Sequence, residues 1–397
     1  MSGNQLLSEF AGVAAELVAI RHKIHRHPET AYEEVRTAEL IAGLLRRWGL
    51  DVADGIGGTG VVGTLRGDRG AGPAIGLRAD MDALHIDEVD GRGHRSTIAG
   101  KMHACGHDGH IAMLLGAARY LADRRDFRGS VHFIFQPAEE GMAGAKRMIE
   151  DGLFDRHPVD RLYGMHNMPG IPAGEFRTRS GAFLAASDTW RVAFRGTGGH
   201  GGAGAHAGTD ATLAQAGFIL ALQTIVSRNV PAIETAVVSV GSVAGGNPDA
   251  PNVIPSEVAI CGTARSHTAA TRELISRRLT EIAGQQAAVF GCTAEVAYEQ
   301  IYPPLVTDTR ATAISVRAAA ALVGGDRVHA DAERMTISED FAFMLERRPG
   351  GFILIGNGMD RGGAAQLHTS SYDFNDSIVT VGAAYWVQLV RDELGSC

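Results

Sequence analysis

The stretch His103-Ala104-Cys105-Gly106-His107-Asp108, with the Gln136-Pro137-Ala138-Glu139-Glu140-Gly141 that follows it, decides how this chain is read. Between them Ile111, Leu114, Leu115, Ala118 and Leu121 recur at helical spacing, with Asp108 placed to cap the helix, and residues 131–135 form an apolar run of strand length. A thiol, an imidazole and two adjacent carboxylates therefore sit where strands meet helices, the place at which an open α/β sheet builds its site. Thiolate, imidazole and carboxylate are ligands that zinc accepts, and a spare carboxylate can act as base toward water activated by a metal. The pattern reads as a metal-dependent hydrolase.

The same arrangement recurs on either side. Residues 74–78 form a nearly all-apolar strand that empties into Asp80-Met81-Asp82, residues 162–165 form a strand ending at His166, and the loop after a strand at 351–355 leads to His368. Upstream, residues 5–26 show one amphipathic helix that His27-Pro28 ends, and residues 33–48 show a second that stops at Gly49. The middle of the chain has a different order: strand 189–194, helix 209–227, strands 235–243 and 258–265, helix 271–290, strand 293–299. That β-α-β-β-α-β succession is a complete ferredoxin-like sandwich. The α/β domain is thus discontinuous, spanning 1–186 and 303–397, with the small α+β domain inserted at 187–302.

A length of 397 residues exceeds the roughly 250–300 at which single cores stop growing, which agrees with two domains. With 45% hydrophobic and 21% charged residues and no long apolar segment, the composition is that of a soluble protein without a membrane span. The first ten residues lack the marks of a secretory signal, and the four cysteines (Cys105, Cys261, Cys292 and Cys397) lack framework spacing, so a cytoplasmic location is expected. A net charge of −8 without a basic stripe argues against nucleic acid as a partner. The run Gly58-Thr59-Gly60-Val61-Val62-Gly63 matches a dinucleotide fingerprint, but it precedes a strand instead of opening a helix and is read as accidental.

Each candidate has an ordinary reading as well. Cys105 and His107 could be a buried thiol beside a capping imidazole, or Cys105 a nucleophile activated at a helix start. Glu139 and Glu140 could be a solvated pair, and His166 and His368 hydrogen-bonded core residues. Asp80 and Asp82 could cap a turn, although a buried carboxylate beside a metal often orients an imidazole, and that is the role expected of Asp80. The remaining histidines, His25, His27 and His110 among them, receive no ligand role.

Taken together, residues 21–34 (RHKIHRHPETAYEE), 78–84 (RADMDAL), 100–110 (GKMHACGHDGH), 135–141 (FQPAEEG), 198–206 (GGHGGAGAH), 252–255 (NVIP), 262–266 (GTARS), 338–341 (SEDF) and 367–369 resemble metallopeptidase family 20 in its amidohydrolase branch of hippurate hydrolases, aminoacylases and indole-acetyl amino acid hydrolases. The resemblance implies a zinc-peptidase-like catalytic domain with a mixed sheet flanked by helices, holding one or two divalent ions, and a lid domain that dimerises. It implies Cys105, His107, Glu140, His166 and His368 as metal ligands, Glu139 as general base and Asp80 as the active-site aspartate. It further implies His200 as an oxyanion donor to a partner's site, and Asn252 and Arg265 as anchors of a substrate carboxylate. Zinc is the expected metal, with manganese, cobalt or nickel as alternatives. His85 and Ala205-His206 depart from the family pattern, at loops near the substrate.

The expected activity is hydrolysis of an N-acyl amino acid to a carboxylic acid and a free amino acid, by a homodimer. Three other readings remain open at this point: a carboxypeptidase, dipeptidase or carbamoyl amino acid hydrolase, a metal-free enzyme with Cys105 as nucleophile, and a non-catalytic binder of acylated amino acids.

Overall fold

The computed structural model describes residues 3–89, 91–359 and 365–395, so Cys397 lies outside the described residues. Two compact units make up the chain: Met1–Gly181 with Val306–Glu333 and Asp340–Cys397, and Ala182–Leu305 with Arg334–Glu339. The short return segment joins the smaller unit through its backbone. Ala185 N donates to the carbonyls of Met335 (3.1 Å) and Ile337 (2.9 Å), and a His267 ring nitrogen bonds the Met335 carbonyl at 2.9 Å. Such backbone pairing leaves no periodic signal in the sequence, which places the seams only at residues 186 and 303.

The larger unit is built on an eight-stranded mixed sheet in the order Asp51–Ile56, Gly60–Arg66, Ser130–Gln136, Ala74–Asp80, Arg161–Pro169, Gly350–Gly358, Phe176–Thr178, Val328–His329. The four central strands, Ser130–Gln136 through Gly350–Gly358, run parallel. They are buried almost end to end, the expected outcome for apolar runs covered on both faces. From Ala74–Asp80 the chain crosses to Ser130–Gln136 on one side and later to Arg161–Pro169 on the other. Such a reversal opens a crevice at the carboxyl ends of the strands. Asp80 pairs in register with Gln136 there.

Helix His107–Ala122 covers the central strands and is itself covered by helices Ala14–His25 and Val379–Leu394, so every residue in it but Arg119 and Ala122 is buried. It starts two residues earlier than a cap at Asp108 would place it. Left-handed Gly106 is the residue before it, and Asp108 does not cap it but lies in its first turn, its carboxylate accepting from Arg21 (3.0 Å) and held against His25 (2.9 Å). Buried ion pairing claims this aspartate before an exposed cap could. The single amino-terminal helix expected over 5–26 is two, Gly3–Ala11 and Ala14–His25, broken at Gly12-Val13. The first piece packs on the carboxy-terminal helix and the second on His107–Ala122, and glycine, a poor helix former, takes the bend.

The smaller unit is the ferredoxin-like sandwich. Its four antiparallel strands lie in the order Ala236–Gly245, Glu257–Ser266, Ala186–Arg195, Thr293–Tyr302. Helices Ala211–Thr224 and Ala269–Val289 are capped by Asp210 and Thr268, and they share a core with Trp190, Val192 and Phe194 of the first strand. A buried tie joins sheet to helix: Arg272 donates to Asp188 (2.6 Å), which also accepts from Tyr298 (2.8 Å). Among the described residues no helix is long and apolar enough to cross a membrane.

Candidate metal centre

Cys105 and His107 flank Gly106, whose φ of +90° belongs to the left-handed region. A Cβ on Gly106 would come within 2.4 Å of both Asn167 Nδ2 and Tyr372 Oη, so only glycine fits this turn. The turn aims both side chains at the carboxyl edge of the sheet. The paired glutamates arrive from the next strand, through Pro137 and a left-handed Ala138. The Ala138 amide donates to Glu34 at 2.8 Å, and the Glu140 amide to Asp82 at 2.9 Å. His166 comes from the third central strand. His368, itself at φ +63°, is held by a bond from its amide to the Ala104 carbonyl (2.9 Å).

These stretches converge. Cys105 Sγ lies 3.4 Å from His166 Nε2 and 3.3 Å from His368 Nε2, and His368 Nε2 lies 3.1 Å from Glu140 Oε1. Ligand atoms of Cys105, Glu140 and His368 fall within 4.8 Å of one another, as do those of His107, Glu139 and Glu140, and those of Asp80, His107, His110 and His166. The five ligands expected from the sequence and the expected base, Glu139, are thus neighbours, with Asp80 beneath them. His200, Asn252 and Arg265 belong to the smaller unit. There His200 and Asn252 line a cleft of about 620 Å³ from which Arg265 is absent. His200 Nδ1 accepts the amides of Gly202 (3.1 Å) and Ala203 (3.0 Å), which leaves the proton on Nε2 as a donor.

The electrostatics call for a cation. His107 Nε2 is buried without a hydrogen-bond partner, 4.0 Å from Glu140 Oε1. Burial alone would lower the His107 pKa, yet Asp80, Asp82 and Glu140 hold it up to about 10, so the acids around this imidazole favour positive charge at its position. Burial, with His110 next, pushes His166 well below the ordinary range, and its Nδ1 donates to the Asn167 carbonyl (2.6 Å), which turns a bare Nε2 toward the sulfur. Burial followed by Glu140, Glu139 and Asp80 pushes the Cys105 thiol well up. A nucleophilic cysteine needs the opposite shift, whereas a dication coordinated by the sulfur would deprotonate it outright. Soft sulfur, three imidazole nitrogens and carboxylates brought together fit a divalent transition metal.

Several participants carry too little signal for sequence reasoning to find. Asp82, second to Asp80 on sequence grounds, lies behind His107: its carbonyl accepts from Nδ1 at 2.9 Å and its Oδ1 is 3.3 Å away. Asp80 instead holds His110, with 2.6 Å between Oδ1 and Nδ1. His110 has no role on sequence grounds, although it stands three residues after His107 on the helix, a spacing that places both on one face. Arg78 and Asp340, joined at 3.1 Å under Asp80, have no signal beyond their own motifs.

Residues 76–392 match peptidase family M20/M25/M40. The chain belongs to that family. Over 384 residues it is 38% identical to the hippurate hydrolase of Campylobacter jejuni, covering 97% of this chain and 98% of that protein. It is 39% identical to the N-acetyl-L-cysteine deacetylase of Bacillus subtilis, over 94% of this chain and 86% of that one. Among solved structures, the Bacillus subtilis YXEP protein, described as a dinuclear metal-binding peptidase of the M20 family, superposes with a TM-score of 0.84 at 30% identity, covering 98% and 100% of the two chains. In this M20 chain the groups of side chains that could hold a metal ion include Cys105, His107, Glu140, His166 and His368.

Proposed function

We propose that this M20 protein is a metal-dependent amidohydrolase that cleaves the amide bond of N-acyl amino acids, of the hippurate or N-acetyl type, to a carboxylic acid and a free amino acid. One observation carries the reading: Cys105, His107, Glu140, His166 and His368 meet around a pocket that demands positive charge, with Glu139 beside them. The five side chains would hold one or two divalent ions, zinc first. A metal bound there supplies Lewis acidity toward the scissile carbonyl and lowers the pKa of water to about 7.

The chain's own groups do the rest. Glu139 takes the proton from the attacking water on a carboxylate oxygen and delivers it to the departing amide nitrogen. Asp82 keeps His107 in the tautomer whose Nε2 faces the pocket. His200 donates from Nε2 to the developing oxyanion in the site of a second copy, with Asn252 beside it in the same cleft, and Arg265, outside that cleft, anchors the substrate carboxylate, for which a guanidinium fork is the natural partner. The free thiols Cys105, Cys261 and Cys292 suit a reducing compartment, the cytoplasm.

Chelation should abolish release of free amine from a panel of hippurate, N-acetyl and N-carbamoyl amino acids, and added zinc, manganese, cobalt or nickel should restore it. Full activity in a sample shown by elemental analysis to be free of metal would overturn the reading. A homodimer formed through the smaller unit is also proposed. In support, Leu213, Leu220 and Ile233 are exposed there, the last two at 75% and 90%, and strand Ala236–Gly245 is an open sheet edge. Light scattering should give twice the mass of one chain, and a single-chain mass with full activity would remove His200 from the second copy's site.

A further inference from the structure

We propose that Asn167 is the positioning residue that sets the geometry of the metal centre, tying together three of the stretches that carry its ligands; the inference rests on the metal-centre reading above. Asn167 is fully buried beside His166 and uses every polar group it has. Its Nδ2 donates to the Cys105 carbonyl at 2.6 Å, and its Oδ1 accepts from the Tyr372 hydroxyl at 2.6 Å. Its backbone carbonyl accepts from His166 Nδ1 at 2.6 Å, and its backbone amide donates to His110 Nε2 at 2.9 Å. A carbonyl oxygen can only accept, so the Cys105 contact fixes which end of the side-chain amide is nitrogen.

The same bonds settle the role of His110. Its Nε2 is occupied by the Asn167 amide and its Nδ1 by Asp80, so it has no lone pair for a metal, although it lies among the candidate ligands. It is a strut from Asp80 to Asn167. Through Asn167 the strut reaches the Cys105-Gly106-His107 turn, the His166 ring and Tyr372, four residues beyond His368. Gly106 is left-handed and without a Cβ because Asn167 Nδ2 and Tyr372 Oη occupy that space. Turn and asparagine form one fitted unit, and the sulfur and the His166 nitrogen stay 3.4 Å apart because of it.

The test is Asn167→Leu, which keeps the branched shape and the backbone bonds and removes the side-chain bonds to Cys105 and Tyr372 together with the 3.1 Å contact of Nδ2 with His110 Nε2. Cobalt(II) affinity, measured by competition with a chromogenic chelator, should fall by about 10- to 100-fold, the usual weight of a group that orients metal ligands. The thiolate-to-cobalt absorption should weaken or shift, which a merely structural residue would not cause. Tyr372→Phe, removing one oxygen, should lower affinity by about three- to tenfold, in keeping with one hydrogen bond. It decides the matter if thermal unfolding shows that the metal-free leucine variant does not fold. Parent affinity and an unchanged spectrum in a folded variant would overturn the role of Asn167. Failure of the parent protein to bind cobalt would instead overturn the metal-centre reading.

Discussion

Glu139→Gln is expected to lower kcat by about two to four orders of magnitude, the usual worth of a general base, while metal content and KM stay close to those of the parent. The expectation rests on how the two glutamates differ. Both reach His107, but the backbone bends on either side of the pair: Ala138 before it and Gly141 after it are left-handed, and Glu140 leaves the helical region at ψ 75°. Glu140 Oε1 is thereby brought to His368 Nε2 at 3.1 Å, among the ligands. Glu139 points elsewhere, one of its oxygens accepting from the Asp340 amide at 3.4 Å. Glutamine keeps that acceptor and the side-chain volume and cannot take a proton at neutral pH. Glu140→Gln, by contrast, should lose metal together with activity. A Glu139→Gln enzyme within about one order of magnitude of the parent would show that proton transfer runs through another group.

That two acids stand at this edge was open to the sequence, because an apolar strand followed by Pro-Ala-Glu-Glu delivers both carboxylates to the strand's carboxyl end; which of them holds a metal and which takes the proton is what we propose above. The central strands were equally open, since runs such as Ile75-Gly76-Leu77 and Phe133-Ile134-Phe135 are too apolar for any exposed position, and Glu140 stands just beyond one such strand and His166 near the end of another, while Cys105 and His368 come from the connections between elements and His107 opens a helix. The ferredoxin-like order could be read for the same reason: alternation and helical spacing are local and survive in one dimension. What could not be read is contact between buried polar groups far apart in the chain. Asn167 follows His166 in sequence, yet nothing local says that it meets Tyr372. Asp108 looks like a helix cap until Arg21 and His25 are found against it, 87 and 83 residues away. His110 looks like a spare imidazole until its two partners are known.

Arg78→Met is expected to be the most destabilising single change in the larger unit. Arg78 is wholly buried, two residues before Asp80 on the same strand, and so faces the same side. It donates to Asp80 Oδ2 (2.8 Å), Gln136 Oε1 (2.8 Å) and Asp340 Oδ1 (3.1 Å), while Phe341 lies against its guanidinium, 5.6 Å from ring centroid to Cζ. Gly164, opposite Arg78 in the neighbouring strand, leaves the space that Phe341 fills, since a Cβ there would come within 3.1 Å of the ring. Gln136 and the Ala145 amide complete the shell around Asp340, at 2.8 and 2.9 Å. Burial would raise the pKa of Asp80, but His107, His110 and Arg78 together keep it well below the usual carboxylate range, so the site has an ionised acid beneath its ligands. Methionine fills much the same volume and supplies no charge. Two buried carboxylates then lose their cation, a change that typically costs about 3–5 kcal/mol. Denaturant unfolding of the metal-free protein should show that loss as a lower midpoint. Arg78→Lys should lose less, since it keeps the charge, but more than nothing, because an ammonium cannot present a planar fork to three acceptors at once. An unchanged midpoint in Arg78→Met would mean that Gln136 and the backbone amides alone hold Asp80 and Asp340, and that the arginine serves the charge of the pocket and not the stability of the sheet.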